Sequence, residues 1–517
     1  MLFQPIFKRL GSPARLAIVI ALCVVALGSL RFINLGEKIV WHDESYSFLR
    51  TFGHTGTEYV TALFDGKIHS VAELQSYQRA DPELGLGATL TALASRPEHS
   101  PLYYLLARVW AEGFEDPVVA LRSLSALFGV LLLPSLYWLA RELFDDPPVS
   151  WSAMTLAAAS PLYLLYAQEA RQYALWMMLT VLSSAALLHA LRTGSRRAML
   201  LYALTIALGL YAHIMHVFTA IAHMVYLAMM HGEYERVRVK ACAIALACGL
   251  LAFTPWLALF LYSITDVVEV TSWMRTSVST LELMQSWLTS INQLLFDFPG
   301  SDYLIPLSAA LAIIALCVIQ RSTPTKVWLL LVLMLFITAG AVILPDLLSG
   351  GRRSLITRYL LPPLLLLGIC IAYLIGTGSS LHTHRGRAMG LLGALLIGGG
   401  IYSQLMILSS TTWWNKAFSG NNGAIAAVIN AAERPLLIST TGAVNPGEML
   451  SLSYLLQAKV QLLLLNKPTL AVLPEGYSHY FIFNPPGEVL QQLETDYSAQ
   501  RVSAGGGLWE LLRRNQR

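Results

Sequence analysis

Tyr166-Ala167-Gln168-Glu169-Ala170-Arg171-Gln172-Tyr173 decides how this chain is read. Apolar residues dominate 151–167 before it and 173–191 after it. Each flank approaches the ~20 residues that a membrane-crossing helix needs. The turn between them is too tight to carry Glu169 and Arg171 far from the bilayer. Charges held at that depth are costly, and by default they mark a functional site. The plainer reading is a local Glu-Arg pair that caps a helix junction.

Composition supports a membrane protein. Of 517 residues, 55% are hydrophobic and only 13% are charged. A soluble domain carries roughly 25% charged residues, so this chain cannot coat a soluble surface of its size. A cytosolic enzyme, a disordered chain and a nucleic-acid binder are excluded. The net charge of +4 is also too small and too dispersed to hold nucleic acid. Cys23, Cys242, Cys248, Cys317 and Cys370 all sit in apolar runs, with neither zinc nor disulfide spacing.

Working outward, further apolar runs lie at 16–35, 119–140, 198–213, 214–231, 240–262, 303–320, 326–345, 358–376 and 388–408. With the two flanks they predict about eleven spans. Lys8, Arg9 and Arg15 precede the first, and no small-residue cleavage site follows it. An uncleaved first span with a cytoplasmic N-terminus is expected. The positive-inside rule agrees. Inside loops then carry Arg141; Arg192, Arg196 and Arg197; Arg236, Arg238 and Lys240; Arg321 and Lys326; Arg385 and Arg387. The outside turns at 168–172 and 213–216 hold almost no Lys or Arg.

Residues 1–408 are therefore expected to form a transmembrane domain with two long outside loops, 36–118 and 263–302. Within the first loop, 69–79 and 100–114 have helical spacing and are expected to lie along the interface. Residues 409–517 read as a small extracytoplasmic α/β domain. Strands are expected at 436–439, 460–465 and 480–483, helices at 446–458 and 486–495, and a Gly505-Gly506-Gly507 turn before 508–512.

The outside face gathers the chemistry. Trp41-His42-Asp43-Glu44-Ser45 places two adjacent acids just after the first span. Such acids serve as general bases or metal ligands, or are merely solvated. His99 opens the aromatic stretch Ser100-Pro101-Leu102-Tyr103-Tyr104, and Arg108 and Arg122 follow it. His213 and His216 share a helical face, and a polar cavity lining suits them better than a metal. One outside loop breaks the charge rule: Arg352-Arg353-Ser354-Leu355-Ile356-Thr357-Arg358-Tyr359. Arginine suits multidentate phosphate recognition, and Arg358 is fixed at the start of a span. No Walker loop or dinucleotide fingerprint is present.

In this order the motifs resemble the GT-C glycosyltransferases, specifically the protein O-mannosyltransferase and aminoarabinose-transferase-like group, glycosyltransferase family 39. Asp43-Glu44 leads, followed by His99-Ser100-Pro101-Leu102-Tyr103-Tyr104 and by Ala120-Leu121-Arg122-Ser123-Leu124-Ser125-Ala126-Leu127-Phe128-Gly129 running into Tyr137-Trp138-Leu139-Ala140-Arg141. Ser160-Pro161, Gln168-Glu169-Ala170-Arg171-Gln172-Tyr173 and Arg358-Tyr359-Leu360-Leu361-Pro362 complete the set. The likeness spans about residues 15–376 and is densest over 99–173. Ser100 stands where relatives often have proline.

The resemblance implies a GT-C fold and a polyprenyl-phosphate-linked sugar as donor. The acceptor would be a glycan, lipid or protein, in the plasma or inner membrane. It implies Asp43, Glu44 and Glu169 as catalytic acids. Substrate contacts would come from His99, Tyr103, Arg122, Arg171, Tyr173, His213, His216, Arg352, Arg353, Arg358 and Tyr359. No cofactor is obligatory, though Asp43 and Glu44 leave room for a divalent cation. The rival readings are a transporter or flippase of lipid-linked sugars and an oligosaccharide ligase or polymerase. Against transport stand the large outside loop, the soluble tail and the lack of repeat symmetry.

Overall fold

The computed structural model describes residues 13–378, 383–413, 415–442, 444–466, 473–493, 497–502 and 507–513. Lys8, Arg9, Gly505 and Gly506 lie outside the described residues. Two compact units emerge. One holds the chain up to Ile33, then Arg96–Tyr103 and Arg122–Ser409. The other holds Asn34–Ser95, Tyr104–Leu121 and the chain from Ser410 onward.

The first unit is a helical bundle. Among the described residues, six helices are long and apolar enough to cross a membrane: Pro117–Phe144, Tyr173–Thr193, Ser301–Ser322, Thr325–Ser349, Thr357–Thr377 and His384–Ser409. The pair Arg236–Ala252 and Thr254–Tyr262 supplies a seventh if its 49° bend is counted within one span. Pro255 sits in the first turn after that break. Proline has no N–H to continue the ladder and its ring crowds the preceding turn. Pro161 does the same to the run 151–167, which divides into Pro147–Ala159 and Pro161–Ala167, with Ser160 extended between them. Pro13–Ser29, Arg196–Ala212 and His216–Met229 are apolar helices of 17, 17 and 14 residues.

Burial sorts the long helices. The apolar windows of Tyr173–Thr193 and Thr357–Thr377 are 83% and 78% buried, whereas that of Ser301–Ser322 is 28% buried. The first two form the bundle interior, and the third leaves most of its apolar surface unburied, as a lipid-facing helix would. Small residues let the helices close up. A Cβ at Gly400 would fall 2.4 Å from the Ala159 carbonyl oxygen, while one at Gly398 would meet nothing within 4 Å.

The second unit is built on a six-stranded sheet ordered β1-β3-β2-β4-β6-β5. Its strands are β1 (Asp65–Ser70), β2 (Pro435–Thr440), β3 (Gln461–Leu465), β4 (His479–Phe483), β5 (Tyr497–Arg501) and β6 (Leu508–Arg513). β2 runs parallel to β3 and β4, and the outer pairs are antiparallel. β2 is buried along its whole length, as a central parallel strand covered on both faces must be. Alternate residues divide between two cores. Leu437, Leu462, Leu464 and Phe481 pack with Leu49, Tyr59, Phe64 and Leu74. Leu436, Ile438, Leu463 and Ile482 pack on the opposite face with Val489 and Leu511. The edge strand β1 and several helices of 42–76 thus belong to the same unit as the C-terminal strands. The first long loop holds helices at Val71–Ser76 and Leu102–Ala111, inside the stretches 69–79 and 100–114 that have helical spacing.

Gly400→Ala should lower the thermal unfolding midpoint in detergent, because the backbone must shift to admit the methyl, at about 1–3 kcal/mol. Gly398→Ala, two residues away on the same helix, should leave the midpoint unchanged. Equal midpoints for both variants would contradict the close crossing at Ala159.

Candidate active site

In the first unit, chemistry concentrates where the helix breaks. Pro161–Ala167 ends at Gln168, and Tyr173–Thr193 begins five residues later. The turn is closed by a 2.7 Å hydrogen bond from the Arg171 amide to the Glu169 carbonyl. The Gln168 amide side chain donates to the Ile33 carbonyl at 2.9 Å. Ser125 Oγ donates to the Arg171 carbonyl at 3.3 Å and also bonds the Tyr103 hydroxyl at 2.9 Å. Each freed backbone group inside a bundle needs such a partner. Tyr103 and Ser125 therefore brace the turn.

The turn keeps its charges inside. Glu169 is 0% and Arg171 4% exposed. The Arg171 guanidinium lies 5.5 Å from the Tyr173 ring centre, and Nη2 donates to the Tyr173 hydroxyl at 3.3 Å. Tyr166 meets Tyr173 edge-on at 5.6 Å. His213 follows the end of Arg196–Ala212 in an extended conformation and stacks on Trp176 at 4.2 Å.

Electrostatic contacts join these groups. Tyr166 feels Glu169, Arg358, Tyr173 and Asp297. His213 feels Arg171, His216 and Arg358. Glu169, Arg171, Tyr173 and Arg358 therefore each lie within electrostatic range of Tyr166 or His213, although Arg358 is 187 residues beyond Arg171 in sequence. His216 is fully buried, and its ring fills the space a Cβ at Gly209 would need. Arg122 is also buried, on the same helix as Ser125. His99 stands 3.9 Å from Glu98, and the segment before it is held by Trp256 Nε1 donating to the Pro97 carbonyl at 3.0 Å.

Asp297 escaped the sequence reading. It is buried after the helix Thr280–Leu295, and its amide donates to Ser403 Oγ at 3.1 Å. The available signal was an acid amid Phe296-Asp297-Phe298-Pro299 in a chain poor in acids.

The three arginines of the loop 346–358 have different surroundings. Arg353 Nη1 donates to Asp346 Oδ1 at 2.9 Å. Asp346 Oδ2 accepts from the Ser354 amide at 2.7 Å and from its hydroxyl at 2.8 Å. Arg353 is thus an anchor for the loop. Arg352 has an exposed side chain, and its amide donates to the Met274 carbonyl at 2.9 Å. Arg358 lies 5.3 Å from the Tyr359 ring centre and is the one of the three felt at both Tyr166 and His213.

In the second unit, Asp43 and Glu44 occupy the first turn of the helix His42–Thr51. Glu44 is fully buried, and its Oε2 accepts the Trp41 amide at 3.0 Å. It satisfies one of the donors that every helix start leaves open. Asp43 is only partly buried. Among the described residues, no group of three or more His, Cys, Asp or Glu is placed to hold a metal ion.

The first unit is thus a bundle of apolar helices with buried charges at one break, and the second is an α/β unit. Residues 98–259 match the family model for dolichyl-phosphate-mannose-protein mannosyltransferase. The fold is similar to that of ArnT from Cupriavidus metallidurans bound to undecaprenyl phosphate, at 12% identity. That comparison has a TM-score of 0.55 and covers 98% of this chain and 99% of the other. It is also similar to the Archaeoglobus fulgidus oligosaccharyltransferase in complex with Zn and sulfate, at 12% identity and a TM-score of 0.51, covering 95% and 73% of the two chains. No curated protein matches the sequence.

Arg353→Ala should destabilise the protein by about 1–3 kcal/mol, since a buried carboxylate loses a charged partner. Arg352→Ala should leave the unfolding midpoint in detergent unchanged. Similar losses for both variants would refute the division of roles between the two arginines.

Proposed function

We propose that this protein transfers a sugar from a polyprenyl-phosphate donor to an acceptor hydroxyl or amine, by direct displacement with inversion. It does so at the outer face of a plasma or inner membrane. The topology that goes with this reading has about eleven spans, a cytoplasmic N-terminus and an extracytoplasmic C-terminal part. The observation that carries the proposal is the convergence of Arg171, Arg358, Glu169, Tyr173 and His213 at the break within the family-matched segment.

In the proposed step the acceptor oxygen or nitrogen forms a bond to the anomeric carbon. The bond from that carbon to the donor phosphate oxygen breaks, and polyprenyl phosphate leaves with the electron pair. The acceptor proton passes to the Asp43 carboxylate. Arg171 and Arg358 stabilise the phosphate as its charge grows, in a setting where a fixed cation acts more strongly than in water. Glu169 orients Tyr166 and the sugar-facing groups. His99, Tyr103, Arg122, Tyr173, His213, His216 and Tyr359 line or support the pocket. Arg353 supports it through Asp346, and Arg352 meets headgroups or the acceptor. Glu44, committed to the Trp41 amide, keeps the helix start in place.

Asp43→Asn should lower turnover about 100- to 10,000-fold, the usual worth of a general base. Arg358→Ala should weaken undecaprenyl phosphate binding about 10-fold or more, the value of a charge-assisted hydrogen bond. Labelled sugar transfer in reconstituted membranes checks the first, and calorimetric titration of purified protein checks the second. Full activity in Asp43→Asn at normal expression would remove Asp43 as base. Unchanged affinity in Arg358→Ala would remove Arg358 from the phosphate site.

A further inference from the structure

The second unit holds a buried polar knot around the start of the Asp43 helix. Glu448, on the helix Asn445–Ser453, is 5% exposed. Its Oε1 accepts from Ser419 Oγ at 2.6 Å, and its Oε2 accepts from the Ser419 amide at 3.0 Å. Ser419 Oγ in turn accepts the His42 amide at 3.0 Å. His42 Nδ1 stands 3.4 Å from Glu448 Oε1. A Cβ at Gly447 would lie 2.6 Å from His42 Nδ1, so the ring is clamped against that helix.

Two features show that this knot is more than packing. Ser419 adopts φ +64°, a left-handed conformation that serine enters at a cost. Strain of this kind persists where the surroundings over-determine it, and it clusters at functional sites. The knot also continues a set of ties to the segment just before Asp43. Lys38 Nζ donates to the Ser410 carbonyl at 2.7 Å, the Ile39 amide to the Thr411 carbonyl at 3.0 Å, and Trp413 Nε1 to the Ile39 carbonyl at 2.7 Å. Ser451 Oγ donates to the Val40 carbonyl. Residues 410–451 thus grip the chain from Lys38 to His42, one position short of the proposed base.

We propose that Glu448 is a positioning residue: through Ser419 and His42 it sets the orientation of the helix start that carries Asp43. A proton acceptor must be placed within a fraction of an ångström, and a 1 Å misplacement costs about 100-fold in rate. Two hydrogen bonds from Ser419 to one buried carboxylate, with His42 Nδ1 3.4 Å from it, supply that rigidity. The proposal rests on the reading of Asp43 as base, and it adds a function for the C-terminal unit: aiming the acid of the first loop.

The test compares wild type, Glu448→Gln, Ser419→Gly and Asp43→Asn as full chains in nanodiscs. Glycine accepts the left-handed backbone without strain, so Ser419→Gly deletes the bridging hydroxyl while sparing the fold. Hydrogen–deuterium exchange of residues 42–45 should rise about 10-fold or more in Glu448→Gln and Ser419→Gly, the effect of losing bonds to a charged acceptor. The helix Tyr173–Thr193 should exchange as in wild type. With a panel of undecaprenyl-phosphate sugars, kcat should fall about 10- to 100-fold in both variants while KM stays within about 2-fold. Unchanged exchange at 42–45 overturns the proposal. So does raised exchange with unchanged kcat when Asp43→Asn is inactive. If Asp43→Asn keeps full activity, or no donor turns over in wild type, the base or transferase reading fails instead. The exchange data alone then decide whether Glu448 holds the helix start.

Discussion

An ionised side chain inside an apolar bundle must be paid for, and that constraint governs this structure. Glu169 and Arg171 are both essentially buried at a point where a helix has been interrupted. Leaving such groups without charge or hydrogen-bond partners costs several kcal/mol each. The neighbourhood is arranged accordingly. Pro161 ends one helix early, Ser125 and Gln168 secure backbone groups around the turn, and Tyr173 offers Arg171 both a ring face and a hydroxyl. Arg358 arrives from far along the chain to act on the same cluster. A fold serving stability alone would place apolar residues here.

Adjacent charged residues sit in different surroundings. Glu44 accepts the Trp41 amide at the helix start, whereas Asp43 next to it is only partly buried. Arg353 is consumed by Asp346, Arg352 faces outward, and Arg358 turns to the cluster. One residue of each group sets local geometry while a neighbour carries the proposed chemistry. Simple proximity in sequence would have assigned them one role.

Much of the bundle was legible because membrane spans announce themselves locally. About twenty apolar residues need no distant partner to be recognised, but the runs 151–167 and 240–262, expected as continuous spans, are broken at Pro161 and Pro255. The turn 168–172 stood out because charges are rare in this chain. Less legible were features made by long-range contacts. Nothing in Asp65–Ser70 reads as a strand: it alternates poorly and carries Gly66, and it becomes one because β3 offers an edge. Asp297 is a single acid whose meaning appears only beside Tyr166. Glu448 and Ser419 lie more than 370 residues from His42, a distance no local pattern spans.

The central claim is direct displacement at the anomeric carbon of a lipid-phosphate sugar. Its most direct test is the anomeric configuration of the product, read by NMR from a donor of known configuration, together with release of free polyprenyl phosphate. The account predicts inverted configuration and one polyprenyl phosphate released per sugar transferred. Retained configuration, or transfer without release of the lipid phosphate, would contradict it.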